Sequence, residues 1–220
     1  MIRVVIVDDE ALVRTGFSMI LNATDDIRVV GTASGIEALD VIKTEKPDVL
    51  LLDIRMPQVD GLTLLSIVST MPERPVVAML TTFDADEYIM TALGSGASGF
   101  LLKDTEPEQL GQYVRALAAG GIVLSSRASR PLLSARAGLT TALDEEAERV
   151  SMLTDRERQV LMLVAEGLSN ADIGARLYLG AGTVKDHVSA ILAKLGVTSR
   201  VQAALAAQRA GLLDERPPEQ

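Results

Sequence analysis

Cysteine is absent from this 220-residue chain, which rules out disulfides, thiolate metal sites and thiol nucleophiles and fits a reducing compartment. Tryptophan is absent too, and three tyrosines plus three phenylalanines bring aromatics to only 3%, too few for a protein that stacks the bases of a single strand. The lone histidine, His187, excludes a histidine-rich metal centre. No apolar run approaches the ~20 residues that a membrane span requires. The start, Met1-Ile2-Arg3-Val4-Val5-Ile6-Val7, runs straight into acids without a small-residue cleavage site, unlike a signal peptide. These absences lead us to expect a cytoplasmic protein with no membrane partner. What remains is 48% hydrophobic and 23% charged, a globular composition, in a length that suits one or two domains.

The net charge of -9 argues at first against a nucleic-acid partner. Its distribution changes that. Residues 1–120 hold 9 basic and 18 acidic side chains, which is the whole excess, whereas residues 151–213 hold 7 basic and 5 acidic. The two halves differ in pattern as well. In the first, short β-branched runs at 3–7, 28–31, 48–52, 75–80 and 99–102 alternate with helical stretches near 11–21, 35–45, 61–70, 85–95 and 106–119. Uninterrupted runs such as Val49-Leu50-Leu51-Leu52 read as strands buried on both faces. Five βα units predict a doubly wound, five-stranded parallel sheet over residues 1–120, with any site at the carboxyl ends of the strands.

Residues 121–150 lose the pattern and read as a linker. From 151 to 213 the sequence is helical throughout. Thr154-Asp155-Arg156-Glu157 is a capping box, Ser169-Asn170-Ala171-Asp172 opens a second helix, Gly180 to Leu195 is a third and Thr198 to Arg209 a fourth. Two short helices, a tight turn and a longer helix make a helix-turn-helix pattern. Residues 214–220 read as a disordered tail.

Asp8 and Asp9 directly follow the first strand and Asp53 the third. Those strands are neighbours in a doubly wound sheet, so three carboxylates converge. Like charges that close require a neutralising cation, and oxygen-only donors select Mg²⁺. Thr81 and Lys103 end the fourth and fifth strands. A carboxylate surrounded by a hard ion, an ammonium and a hydroxyl is a site for a phosphoryl group. Any one of these residues alone would be an ordinary loop residue; five at strand ends carry the reading.

These motifs are those of a known family. Val7-Asp8-Asp9-Glu10, Leu51-Leu52-Asp53-Ile54-Arg55-Met56-Pro57 with Asp60-Gly61, Leu80-Thr81-Thr82 and Gly99-Phe100-Leu101-Leu102-Lys103-Asp104 resemble the receiver domain of two-component response regulators. The resemblance implies that Asp53 is phosphorylated by a sensor histidine kinase and that Asp8, Asp9 and Asp53 bind Mg²⁺ together with the main-chain carbonyl of Arg55. It also implies that Thr81 and Phe100 form a switch pair, the ring turning inward as the threonine is drawn to the phosphate. The spacing from Asp53 selects Thr81 over Thr82.

Residues 153–205, with Gly167-Leu168-Ser169-Asn170 and Thr183-Val184-Lys185-Asp186-His187-Val188, resemble the LuxR-type helix-turn-helix. The pair of domains resembles that of the NarL/FixJ class of response regulators. In the third helix Val184, Val188, Ile191, Leu192 and Leu195 make a buried stripe. That leaves Lys185, Asp186, Ser189 and Lys194 outward as DNA-contacting candidates, with Thr183 near a phosphate. His187 lies beside the buried stripe and reads as a packed residue. Where the family caps this helix with Ser or Thr, the chain has Gly180-Ala181, at a cost of only a few tenths of a kcal/mol. The resemblance implies double-stranded DNA with an inverted-repeat operator, a homodimer formed on phosphorylation, and RNA polymerase as partners. It implies no enzymatic turnover beyond the receiver's own aspartyl phosphate.

Two other functions compete. A Mg²⁺-dependent phosphatase with an aspartyl intermediate would place Asp-x-Asp after the first strand, where this chain has Asp8-Asp9. A small-molecule-sensing LuxR-type regulator would need an aromatic-lined ligand domain, which six aromatic residues do not supply.

Overall fold

The computed structural model describes residues 1–82, 86–124 and 147–213. Six parallel strands form one sheet in the order β2-β1-β3-β4-β5-β6. They are β1 (Ile2–Val7), β2 (Ile27–Ala33), β3 (Val49–Asp53), β4 (Val76–Thr81), β5 (Gly99–Leu102) and β6 (Val123–Leu124). Five helices connect them: α1 (Ala11–Asn22), α2 (Ala38–Glu45), α3 (Gly61–Ser69), α4 (Asp86–Gly94) and α5 (Pro107–Ala118).

The two-residue period of a strand sorts its side chains into two layers. Val5, Val7, Leu50, Leu52, Met79 and Phe100 belong to one core with residues of α2, α3 and α4. Val4, Ile6, Val49, Leu51, Leu80 and Leu101 belong to a second with residues of α1 and α5. The sheet is therefore covered on both faces, as its unbroken apolar runs require.

The sixth strand corrects the expected five. Val123 and Leu124 pair with Gly99 and Phe100, so the segment after α5 first adds an edge strand, too short to register as a periodic run. Most of the expected linker, and all of the expected tail at 214–220, lie outside the described residues.

The second domain comprises α6 (Asp155–Ala165), α7 (Asn170–Leu177), α8 (Ala181–Leu195) and α9 (Arg200–Arg209) around a core of its own. Thr154 caps α6 and Ser169 caps α7, each in a reciprocal capping box. Gly180 precedes α8 with no side-chain cap. A third capping box, Ser199 with Gln202, opens α9. Among the described residues no helix is long and apolar enough to cross a membrane.

Candidate functional site

Strand register assembles the acid pocket. Val7 pairs with Leu52, Asp53 with Leu80 and Thr81 with Leu102, so Asp8, Asp53, Thr81 and Lys103 emerge side by side at the carboxyl edge, where open α/β sheets bind ligands. The Lys103 amide donates to the Thr81 carbonyl at 2.9 Å, extending the ladder by one bond.

Asp8 and Asp53 are buried, at 0% and 3% exposure, and Thr81 is buried beside them, while Asp9 is exposed. One carboxylate oxygen from each of Asp8, Asp9 and Asp53 lies within 4.8 Å of the others. The Lys103 ammonium stands 3.0 Å from Asp8 Oδ2, 3.1 Å from Asp53 Oδ2 and 2.9 Å from Glu10 Oε1. Asp8 Oδ1 accepts from the Glu10 amide and Asp53 Oδ1 from the Arg55 amide. The Oδ2 atoms of both aspartates are buried without a hydrogen bond; the ammonium is at ion-pair distance from each but is not aligned for a bond.

Burial, with the charge of Asp8 adding to it, pushes the Asp53 carboxyl up to about 6. Burial also raises Asp8. Burial works against the Lys103 ammonium, but the surrounding carboxylates of Glu10, Asp8 and Asp53 outweigh it and hold the proton more firmly than usual. The orphaned oxygens and all-oxygen donor set fit a hard divalent ion.

Thr81 and Phe100 are the expected switch pair. The Thr81 hydroxyl donates to the Thr82 carbonyl at 2.8 Å rather than to Asp53. Phe100 is already inside, 1% exposed, in the core that contains Ile89, Ala92 and Leu93 of α4. The ring is thus buried in this structure, while the Thr81 hydroxyl has another partner.

In the second domain Thr183, Lys185, Asp186 and Ser189 are exposed on α8, and His187 is half-buried. Lys194 is otherwise engaged: its ammonium lies 2.6 Å from Glu157 Oε2, the carboxylate that also caps α6. The hydrogen bond from Lys194 holds Glu157 below its ordinary range, against the opposing effect of burial. Lys194 therefore braces α8 to α6.

The two domains touch. Lys185 and Ser189 line a cleft of about 600 Å³ whose other wall is receiver, including Lys46, Glu73 and Arg74. At one end of the cleft the Asn170 amide, at the start of α7, donates to the Ala119 carbonyl after α5 at 3.0 Å. Gly120 there has φ +78° and a Cβ would come within 2.6 Å of the Asn170 side chain, so only glycine fits both backbone and neighbour. Arg200, buried, donates to Asn170 Oδ1 at 2.8 Å and to the Leu168 carbonyl, and burial lowers its guanidinium to about 10. Val201 and Leu205 of α9 join the receiver core that contains Ile89, Ala92 and Leu93 of α4. The sequence alone assigned no role to Glu10, Arg200 or Gln202. The spacing of Ser199 and Gln202 is a capping-box signal that could have found the last.

A doubly wound sheet with a carboxylate pocket at its edge, joined to a helix-turn-helix, defines a response regulator with a DNA-binding output. The response regulator receiver domain family matches residues 4–115, and the luxR family of bacterial regulatory proteins matches residues 151–207. The chain belongs to the response regulators of the NarL/FixJ class and is a transcriptional regulator. It is 38% identical over 220 residues to the DNA-binding transcriptional activator DevR/DosR of Mycobacterium tuberculosis, covering 99% of this chain and 98% of that one. It is 38% identical over 203 residues to the nitrate/nitrite response regulator protein NarL of Escherichia coli K12, covering 92% and 93%. The crystal structure of ChrA, a response regulator of a heme-sensing two-component system, matches with a TM-score of 0.52 at 36% identity, covering 96% and 98%.

Proposed function

We propose that a sensor histidine kinase phosphorylates Asp53 in a Mg²⁺-dependent reaction, and that this switches dimerisation and sequence-specific DNA binding. The observation that carries the chemistry is the pair of buried, unbonded oxygens, Asp8 Oδ2 and Asp53 Oδ2, sharing one lysine. Asp8, Asp9, Asp53 and the main-chain carbonyl of Arg55 would hold the ion. Bound there, Mg²⁺ neutralises the carboxylates and the oxygens of the incoming phosphoryl group.

An Asp53 oxygen forms the new O–P bond as the P–N bond of the donor phosphohistidine breaks. The electron pair leaves with the imidazole, which takes a proton. Lys103 stays protonated and offsets phosphoryl charge without giving up its proton. Thr81 exchanges the Thr82 carbonyl for a phosphoryl oxygen. With acetyl phosphate as donor, labelling should require Mg²⁺ and vanish in Asp53→Asn, while Lys103→Ala should be labelled yet uncoupled from the response. Full labelling of Asp53→Asn at another residue would sink the assignment.

For the DNA-binding half, Lys185 and Ser189 face the receiver across the cleft, and a duplex needs that space. Phosphorylation frees α8 and favours a homodimer, because a reader with 7 basic and 5 acidic residues between 151 and 213 holds DNA weakly alone. The two-fold dimer suits inverted half-sites about one helical turn apart. Thr183 contacts phosphate, Lys185 donates to guanine or phosphate, Asp186 accepts from a cytosine amino group, and Ser189 completes the surface. RNA polymerase at the promoter is the further partner of such a regulator. Sedimentation should show a shift from monomer to dimer with beryllofluoride, a phosphoryl mimic, and Thr81→Ala should be labelled but fail to shift.

A further inference from the structure

The contact between α9 and α4 contains one side chain that serves both domains. Gln202 Oε1 accepts from the amides of Thr198 and Ser199, at 2.7 and 3.1 Å, and from the Thr198 hydroxyl at 3.1 Å. Those donors fix the orientation of the amide and turn its Nε2 outward. That nitrogen donates to the carbonyl of Gly94, the last residue of α4, at 2.6 Å. An orphan carbonyl at one helix end is thus satisfied by the residue that caps the start of another. Val201 and Leu205 pack into the receiver core next to this bond, with Ile89, Ala92 and Leu93 of α4. The strand preceding α4 ends in Thr81, the residue expected to move on phosphorylation.

We propose that Gln202 is the latch of the closed form: a positioning residue that ties the DNA-binding domain to α4 and sets the fraction of unphosphorylated protein able to bind DNA. This rests on the reading above that the closed form withholds α8. The chemistry makes a sharp demand. A capping box accepts Glu or Gln equally, but only the amide can also donate. In Gln202→Glu a carboxylate oxygen would face the Gly94 carbonyl at a helix C-terminus, where negative charge is disfavoured. That substitution keeps the cap and breaks the latch. Ser199→Ala does the reverse, losing one arm of the cap and keeping the bond to Gly94.

The test uses the full chain and a duplex selected from a random pool by the beryllofluoride-loaded wild type. Without beryllofluoride, Gln202→Glu should bind this duplex roughly three- to tenfold more tightly than wild type, as expected for losing one hydrogen bond from a closed state. Its radius of gyration by small-angle scattering should rise. With beryllofluoride the two proteins should converge. Equal affinity and equal radius without beryllofluoride would overturn the latch. Should Gln202→Glu fold poorly, Gln202→Ala against Ser199→Ala decides: both weaken the cap, and only the first should raise basal binding. If the affinity of wild type itself ignores beryllofluoride, the closed-form reading fails and the latch falls with it; a wild type that responds, beside a Gln202→Glu whose affinity without beryllofluoride equals that of wild type, refutes the latch alone.

Discussion

Asp53 holds its proton more tightly in the fold than in an open chain, its carboxyl lying near 6 instead of the ordinary 3.8. The stability this provides is complete below the unfolded value and is lost as pH rises through the folded one. Metal-free protein should therefore lose stability between about pH 4 and pH 6, on the order of 3 kcal/mol from this group. Thermal melts across that window should show the slope, Asp53→Asn should flatten it, and Mg²⁺ should shrink it by neutralising the ionised carboxylate. Lys194 makes a different case. With its ammonium on buried Glu157, Lys194→Met should cost about 1 kcal/mol and leave the selectivity of the DNA-binding domain intact. A change of preferred operator without a change of melting temperature would return Lys194 to the DNA surface.

At the scale of elements, the strand ends show what could be read from the chain alone. Asp8, Asp9, Asp53, Thr81 and Lys103 were visible because each follows or closes an apolar run, and parallel register then leaves little freedom in where they meet. The Lys194 pairing was not visible because helical spacing places the residue outward and cannot show that Glu157, 37 residues earlier, reaches the same spot. The hydroxyl partner of Thr81 and the Gly94 bond of Gln202 depend on rotamers and on domain placement, which leave no periodic trace. Glycines divide the same way. A Cβ on Gly61, at the start of α3, would overlap the Asp53 carbonyl oxygen, whereas one on Gly182 in α8 meets nothing. Gly61→Ala should then destabilise by about 1–3 kcal/mol and slow acetyl phosphate labelling by shifting the end of β3. Gly182→Ala should stabilise by roughly 0.5–1 kcal/mol. Urea melts of the two variants and wild type, with labelling rates, would expose an inversion of this order.

Taken whole, the molecule is electrostatically lopsided: all of its excess negative charge lies in residues 1–120. An acidic receiver beside a barely basic reader limits how many phosphates can be neutralised. Binding of the beryllofluoride-loaded protein to its selected duplex should show a log–log salt slope of magnitude under about 5, where ten phosphate contacts would give about 9. A steeper slope would mean that more cations reach the backbone than Lys185 alone supplies. The domain contact carries one further consequence. Ala119 with Asn170, and Gly94 with Gln202, are single hydrogen bonds flanking a small apolar patch. A joint so slight opens and recloses on the microsecond-to-millisecond scale of hinge motions. It keeps no record of a past signal. On the proposed phosphorylation of Asp53, the lifetime of a response would then rest with the aspartyl phosphate, and the joint would set only the background against which a promoter reads it.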